Sequence, residues 1–188
     1  MKQHDALVGE PLALDLVNTR PADADHLESV ESLNAWLALE AVRFPELAEF
    51  EAESDAALAR IVAVRTAVTA VVDALLAGRP APSAAVEALN AAQRAAPSFT
   101  RLSMKDDRFA AVKEYTGESE ARLAARLAEA ATELFASGSI GKLKRCEADD
   151  CRLVFLLTHP KRRWCSAERC GNRVRVARYY QHHRKHAD

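Results

Sequence analysis

Cys146-Glu-Ala-Asp-Asp-Cys151 and Cys165-Ser-Ala-Glu-Arg-Cys170 hold all four cysteines of this 188-residue chain. Four residues separate the members of each pair, and thirteen separate the pairs. Two thiolate pincers joined by a short hairpin are what a tetrahedral Zn²⁺ requires, and this spacing sits at the long end of the usual range. Disulfides or free thiols are the alternative, with three possible connectivities. The first ten residues contain no apolar run of signal-peptide length. No stretch is long and apolar enough to span a membrane. A cytoplasmic protein with reduced thiols is therefore expected, and there paired cysteines point to metal. His159, His182, His183 and His186 are spare donors. Four sulfurs, however, already close a structural site and leave no position for a catalytic water. One structural Zn²⁺ is expected.

Outward from the cysteines the charge is uneven. Residues 142–188 carry 13 Lys+Arg against 5 Asp+Glu, a net of +8. Residues 1–141 carry 13 against 22, a net of −9. With four thiolates and one Zn²⁺ the basic end becomes +6. An acidic body with a basic end implies a polyanion partner at that end, or a docking of one half on the other. Hydrophobic residues at 49% and charged residues at 28% are an ordinary globular composition. The length suffices for one or two domains.

Most of residues 1–140 reads as helix. A helix is expected from Ser29 to Ala41, with Val30, Leu33, Leu37 and Ala41 on one stripe and Trp36 beside it. The strongest follows Ser54 as N-cap, with Ile61, Val62, Val68, Val72, Leu75 and Leu76 among its apolar face. Gly78 and Pro80 end it. Ser83 is expected to cap a further helix that Pro97 stops. Alternation around Phe99 and Phe109, with the polar turn Lys105-Asp-Asp-Arg108 between them, predicts a β-hairpin. A last helix runs from about Glu118 to Ala136 and closes at Gly138. The stretch Leu12-Ala-Leu-Asp-Leu-Val-Asn-Thr-Arg20 is too short for periodicity to choose between strand and helix. A domain boundary falls near Ser137–Gly141, where the charge changes sign.

In residues 141–188 a short hairpin should surround the first cysteine pair, with Leu153 to Leu157 and Trp164 as its mini-core. Ser166 is the expected N-cap of a helix from Ala167 to His186 that carries Cys170. Its N-terminal amides favour the thiolates. At 100° per residue Cys170, Val174, Ala177 and Gln181 face the zinc. Arg175, Arg178, His182 and Lys185 form a basic stripe, and Arg162 and Arg163 add a basic turn. These six are the candidate nucleic-acid contacts; a merely solvated face is the alternative.

Trp164-Cys165-Ser-Ala-Glu-Arg-Cys170-Gly171-Asn172-Arg173, with the upstream Cys-x4-Cys, resembles the CGNR zinc finger of bacterial transcription regulators. In that family the finger follows an "ABATE" domain whose signature resembles Leu12 to Arg20. The resemblance covers nearly the whole chain. It implies a mainly α fold of α+β type. A helical domain with a small hairpin occupies residues 1–140. A treble-clef-like zinc finger with four cysteine ligands, ending in a basic helix, occupies residues 141–188. The resemblance also implies DNA binding in stress-linked transcription control. A nuclease using His182, His183 or His186 is not expected, because no acidic cluster is there to hold a second metal. The N-terminal domain would sense a small-molecule ligand or a protein partner. The alternative is an interaction adaptor that binds no nucleic acid. Family members tend to carry an Asp where this chain has Leu157, and the loop after it is shorter here. If that Asp orders a loop arginine, the loop's DNA contacts lose that support in this chain. Asp15, Asn18 and Arg20, like Asn172 and Arg173, are either ligand-facing or structural.

Overall fold

A computed structural model describes the backbone of residues 8–184; the side chains of Lys105, Arg178 and residues 180–184 fall outside the description. Six α-helices and two small hairpins are described. In order they are α1 (Leu12–Asn18), α2 (Val30–Glu40), α3 (Asp55–Leu76), α4 (Ser83–Ala95), β1 (Ser98–Lys105), β2 (Arg108–Tyr115), α5 (Ser119–Ala136), β3 (Leu143–Arg145), β4 (Val154–Leu156) and α6 (Asn172–Arg184).

The ambiguous segment is helix α1, and all seven of its residues are buried. Pro11 stands before it, where a missing N–H costs nothing. Its carbonyl accepts from Leu14 and Asp15. With neighbours on every side, α1 has no polar face whose period could have announced it. It packs on α3, α5 and β4 and sits at the centre of the molecule.

Local signals set the longer helices. Ser29 and Ser32 form a reciprocal capping box at the start of α2. The Ser54 hydroxyl accepts from Ala57 N–H at the start of α3. Gly78, at φ +64°, ends α3 in a conformation other residues rarely adopt. The buried stripe of α3 is Ala57, Ile61, Val64, Val68, Val71 and Val72. Each Val or Ile so buried contributes about 1.5–3 kcal/mol. Leu75, placed on this face by periodicity, is exposed instead. α3, α4 and α5 pack side by side. The cap of α4 also differs from expectation. Ser83 is its first residue, Pro82 stands at the cap, and no side chain bonds the free amides. At the end of α5 the Ser137 hydroxyl donates to Leu134 C=O, and Gly138 is not in a left-handed conformation.

The first hairpin pairs Ser98 with Tyr115 through to Lys105 with Arg108. Asp106 and Asp107 have φ of 49° and 57°, the double positive φ of a two-residue I′ turn. Its base is tied to α5: Tyr115 donates to Glu129, and Lys113 pairs with Glu129 at 2.8 Å.

β3 and β4 pair antiparallel, Leu143 with Leu156 and Arg145 with Val154. Residues 153–157 do not all serve the finger, as the sequence suggested. Successive strand residues face opposite sides. Val154 and Leu156 join the core of the helical body, while Phe155 and Leu157 pack with the cysteines. Among the described residues no helix is long and apolar enough to cross a membrane.

Candidate metal centre and nucleic-acid interface

Cys146 follows β3, Cys151 lies in the turn that leads back to β4, Cys165 stands just before the turn that opens the last helix, and Cys170 lies within that turn. The four Sγ atoms all lie within 4.8 Å of one another. Cys151 and Cys165 are 3.8 Å apart, and Cys165 and Cys170 are 3.5 Å apart. Four sulfurs at about 2.3 Å from a central Zn²⁺ stand about 3.8 Å from each other in a tetrahedron. The cage therefore has the size of the ion. None of the four forms a disulfide.

Alone, sulfurs this close cannot all ionise. Hydrogen bonds from Cys151 and Cys165 hold the Cys146 thiol far below its usual range. The same contacts push the Cys151 thiol up to about 12 and raise Cys165 as well. A dication removes the conflict and lets every sulfur ligate as thiolate. The donor set thus fits one structural zinc ion, held by four sulfurs with no open position.

The backbone around the cage is built to hold it. The Ser166 hydroxyl accepts from Arg169 N–H, so the expected N-cap is present. The turn it caps, Ala167–Gly171, is a π-turn: Gly171 N–H reaches back to Ser166 C=O at 3.1 Å. The α-helix proper begins only at Asn172. This wider turn shifts the phase counted from Cys170. Val174 packs on the metal cluster, but Ala177 is exposed. Gly171 is needed for space, because a Cβ there would stand 3.0 Å from Trp164 Cδ1. The tryptophan before Cys165 and the glycine after Cys170 are thus two halves of one contact.

Arg173 donates to Cys170 Sγ at 3.5 Å and to Asp150 at 2.6 Å. It orients a ligand sulfur from outside the cage, as outer-shell partners of metals do. The Asn172 amide oxygen accepts from Arg175 at 3.1 Å. Arg175 is exposed on α6. Arg163 is half-exposed, pairs with Glu147 at 2.6 Å, and lies 5.0 Å from the Trp164 ring. Arg178, His182 and Lys185, the rest of the stripe, lie outside the described side chains.

Arg162 stands elsewhere than the sequence reading put it. Its guanidinium donates to the carbonyls of Leu156, Trp164 and Cys165. It reaches Glu10 at 2.6 Å and stacks 4.2 Å from the Phe155 ring centre. Four of its five N–H donors are thereby used, and it ties the finger loop together instead of facing outward. Glu10, which orders this loop arginine, also accepts from Leu156 N–H at 3.0 Å.

Asn18 makes the second tie. Its amide donates to Val154 C=O at 3.0 Å and accepts from Val154 N–H at 2.9 Å, closing the free edge of β4. Asp15 accepts from Gly9 N–H, Glu10 N–H and Arg43, the last at 2.6 Å. It fixes the segment that carries Glu10, and Arg43 grips the Glu10 carbonyl. Gly9, at φ +131°, allows the bend. Arg20 differs from these two: its side chain is 72% exposed, with Asp25 3.8 Å away. Glu40, buried beside Arg43, was not legible in the sequence. One of its carboxylate oxygens finds no partner among the described residues. Burial, with the Asp15 charge adding to it, pushes Glu40 up to about 8. Burial also raises Asp15, to about 6, against the pull of its three donors. Glu10, Arg43 and Glu40 carry no local motif; only the proline after Glu10 marks the spot.

No curated protein shows significant similarity to the chain. Residues 142–183 match the CGNR zinc finger, and residues 10–138 match the ABATE family, described as "Putative stress-induced transcription regulator". The match spans the helical body and most of the chain: the protein belongs to the ABATE family and carries a CGNR zinc finger at its C-terminal end.

Proposed function

We propose that the protein is a zinc-dependent, DNA-binding transcription regulator in which a finger of treble-clef type presents α6 to duplex DNA. Residues 1–140 form the sensing or partner-binding unit and residues 141–188 the finger. The observation that carries this reading is α6 itself. Beyond Val174 the described side chains of α6, among them Arg175, Val176 and Ala177, are exposed, so this part of the basic helix is open to solvent. Arg175 supplies a phosphate contact, and Arg178, His182 and Lys185, which follow it at helical spacing in the sequence, extend it. Arg163 contributes from the preceding loop, while Arg162 and Arg173 hold the finger's shape.

A titration of duplex DNA over a salt series tests this. About four phosphate contacts give a log–log slope near −3.6. Arg175→Ala should lower the slope by about one while zinc content stays the same. Absence of binding at low salt overturns the reading.

One observation favours an adaptor instead. The outer half of the first hairpin exposes Leu102, Met104 and Phe109 by 69%, 66% and 72%. The register places all three on one face. An adaptor would bind protein through this face and show no salt-dependent DNA affinity.

A further inference from the structure

Between the helical body and the finger lies a cleft of about 450 Å³. Val17, Ala70 and Val154 give it apolar ground, and four arginines surround it: Arg20 and Arg65 from the body, Arg145 and Arg152 from the finger. Asp73 is the single carboxylate in its lining. We infer that this cleft binds a small organic phosphate, and that the bound phosphate links the finger to the body.

The charges decide the ligand class. Arg65 is buried and answered by Asp25, with contacts at 2.6 and 2.8 Å. Arg145 is answered by Asp73 at 2.6 Å. Arg20 has only the 3.8 Å approach to Asp25. The exposed Arg152 side chain makes no hydrogen bond or ion pair among the described residues. Four arginines against Asp73 leave the lining at +3, and Asp25 behind Arg65 brings the cluster to +2. That surplus sits in a recess against the side of a body whose own net charge is −9. Like charges crowded in a concave site raise the local concentration of anions. A phosphate monoester or diphosphate carries about the matching charge, and guanidinium forks bind its oxygens two at a time. The volume suits a small metabolite. The Thr66 and Thr69 hydroxyls at the rim already donate to carbonyls of their own helix, so recognition rests on the arginines. Arg65 lies at the back with its side chain 4% exposed, within reach of a small anion but recessed from the backbone of a duplex.

Placement gives the ligand a consequence. Val154 lines the cleft and is the residue whose backbone Asn18 holds. Arg145 and Arg152 lie on either side of the first cysteine pair in sequence. An anion held by arginines of both halves stabilises the seam by its binding free energy. This extends the regulator reading by supplying what the body senses. Its test contains no DNA, so either reading can fail without the other.

The experiment titrates inorganic pyrophosphate into the zinc-loaded full chain by calorimetry at fixed ionic strength. Saturable one-to-one binding is expected. Arg20→Ala and Arg152→Ala should each weaken it about tenfold, the effect of one charge-assisted contact. Both positions are exposed, so the unliganded melting temperature should hold. Asp73→Asn should tighten binding severalfold, because it removes a repelling carboxylate and frees Arg145. Hydrogen exchange at the β4 amides should slow when pyrophosphate binds. Absence of saturation overturns the inference, as does equal affinity of wild type and both arginine variants. Unchanged or weaker binding by Asp73→Asn counts against it independently of those two.

Discussion

In the helical body, Leu14, Leu33, Val68 and Leu127 are closed off by helices packing on helices. In the finger, the buried cluster around the metal site is Cys146, Ala148, Phe155 and Cys170, and two of those four are metal ligands. The body has a large apolar core of its own. That of the finger is small, and it rests on two outside supports. One is zinc. The other is the body, which takes Leu143, Val154 and Leu156 into its own core and holds β4 through Asn18 and Glu10. A module this small can therefore be ordered without being autonomous, because its stability is shared between an ion and a neighbour.

Metal removal should break the comparison open most widely. Structural zinc supplies roughly 10–16 kcal/mol of apparent binding free energy in fingers of this size. Chelation or Cys165→Ser should unfold residues 141–188 and leave most of the far-ultraviolet helical signal, which comes from α2 to α5. The body should also melt lower, since it loses Val154 and Leu156 from its core. Complete loss of helicity on chelation would show that the body has no independent fold.

Asn18→Ala should come next. It leaves Val154 N–H and C=O buried without partners, at a cost of about 3 kcal/mol. Urea unfolding would read the loss, and hydrogen exchange should locate it at β4. If the β4 amides stay protected, the seam is held by packing alone.

Arg162→Ala should cost about 2 kcal/mol, because it strands Glu10 and three loop carbonyls. Arg162→Lys should not restore the loss, since an ammonium cannot reach that many acceptors at once. Full recovery with lysine would mean that only the charge matters.

The smallest effect near neutral pH is expected from Glu40→Gln. Burial raises the folded-state Glu40 above its ordinary value of 4.5 to about 8. A carboxyl raised on folding contributes stability that is fully present below about 4.5. That contribution is lost as pH rises through about 8. Wild type should thus weaken from about pH 4.5 to about pH 8, and the glutamine variant should weaken less. Parallel pH profiles for the two proteins would show that Glu40 is ionised throughout.

The features readable from residue order are those whose physics is local. Cysteine spacing announces a zinc cage because ligand geometry acts over a few residues on each side of a turn. Ser29, Ser54 and Ser166 announce helix starts because a hydroxyl reaches amides only two or three residues on. The Asp106-Asp107 turn sets its hairpin register for the same reason. Periodicity could not name α1 a helix, because burial on all sides erases the pattern. It misplaced Leu75 on α3 because a face wider than its contact leaves its edge in water. It also lost phase at Cys170, where the π-turn adds a residue that no 3.6 period allows.

The seam was beyond reach of any such signal. Asn18 and Val154 lie 136 residues apart, and Glu10 and Arg162 lie 152 apart. An asparagine, a glutamate and an arginine are each ordinary on a surface, and nothing local tells which will meet another chain segment. The same holds for the arginines of the cleft, which come from three separate stretches of chain. By itself, then, the sequence determined the metal, the caps at Ser29, Ser54 and Ser166, and the turn, because those bonds close within a few residues. Which side of β4 serves the body, and which polar groups hold it there, was decided only when tertiary packing brought distant segments within hydrogen-bond reach.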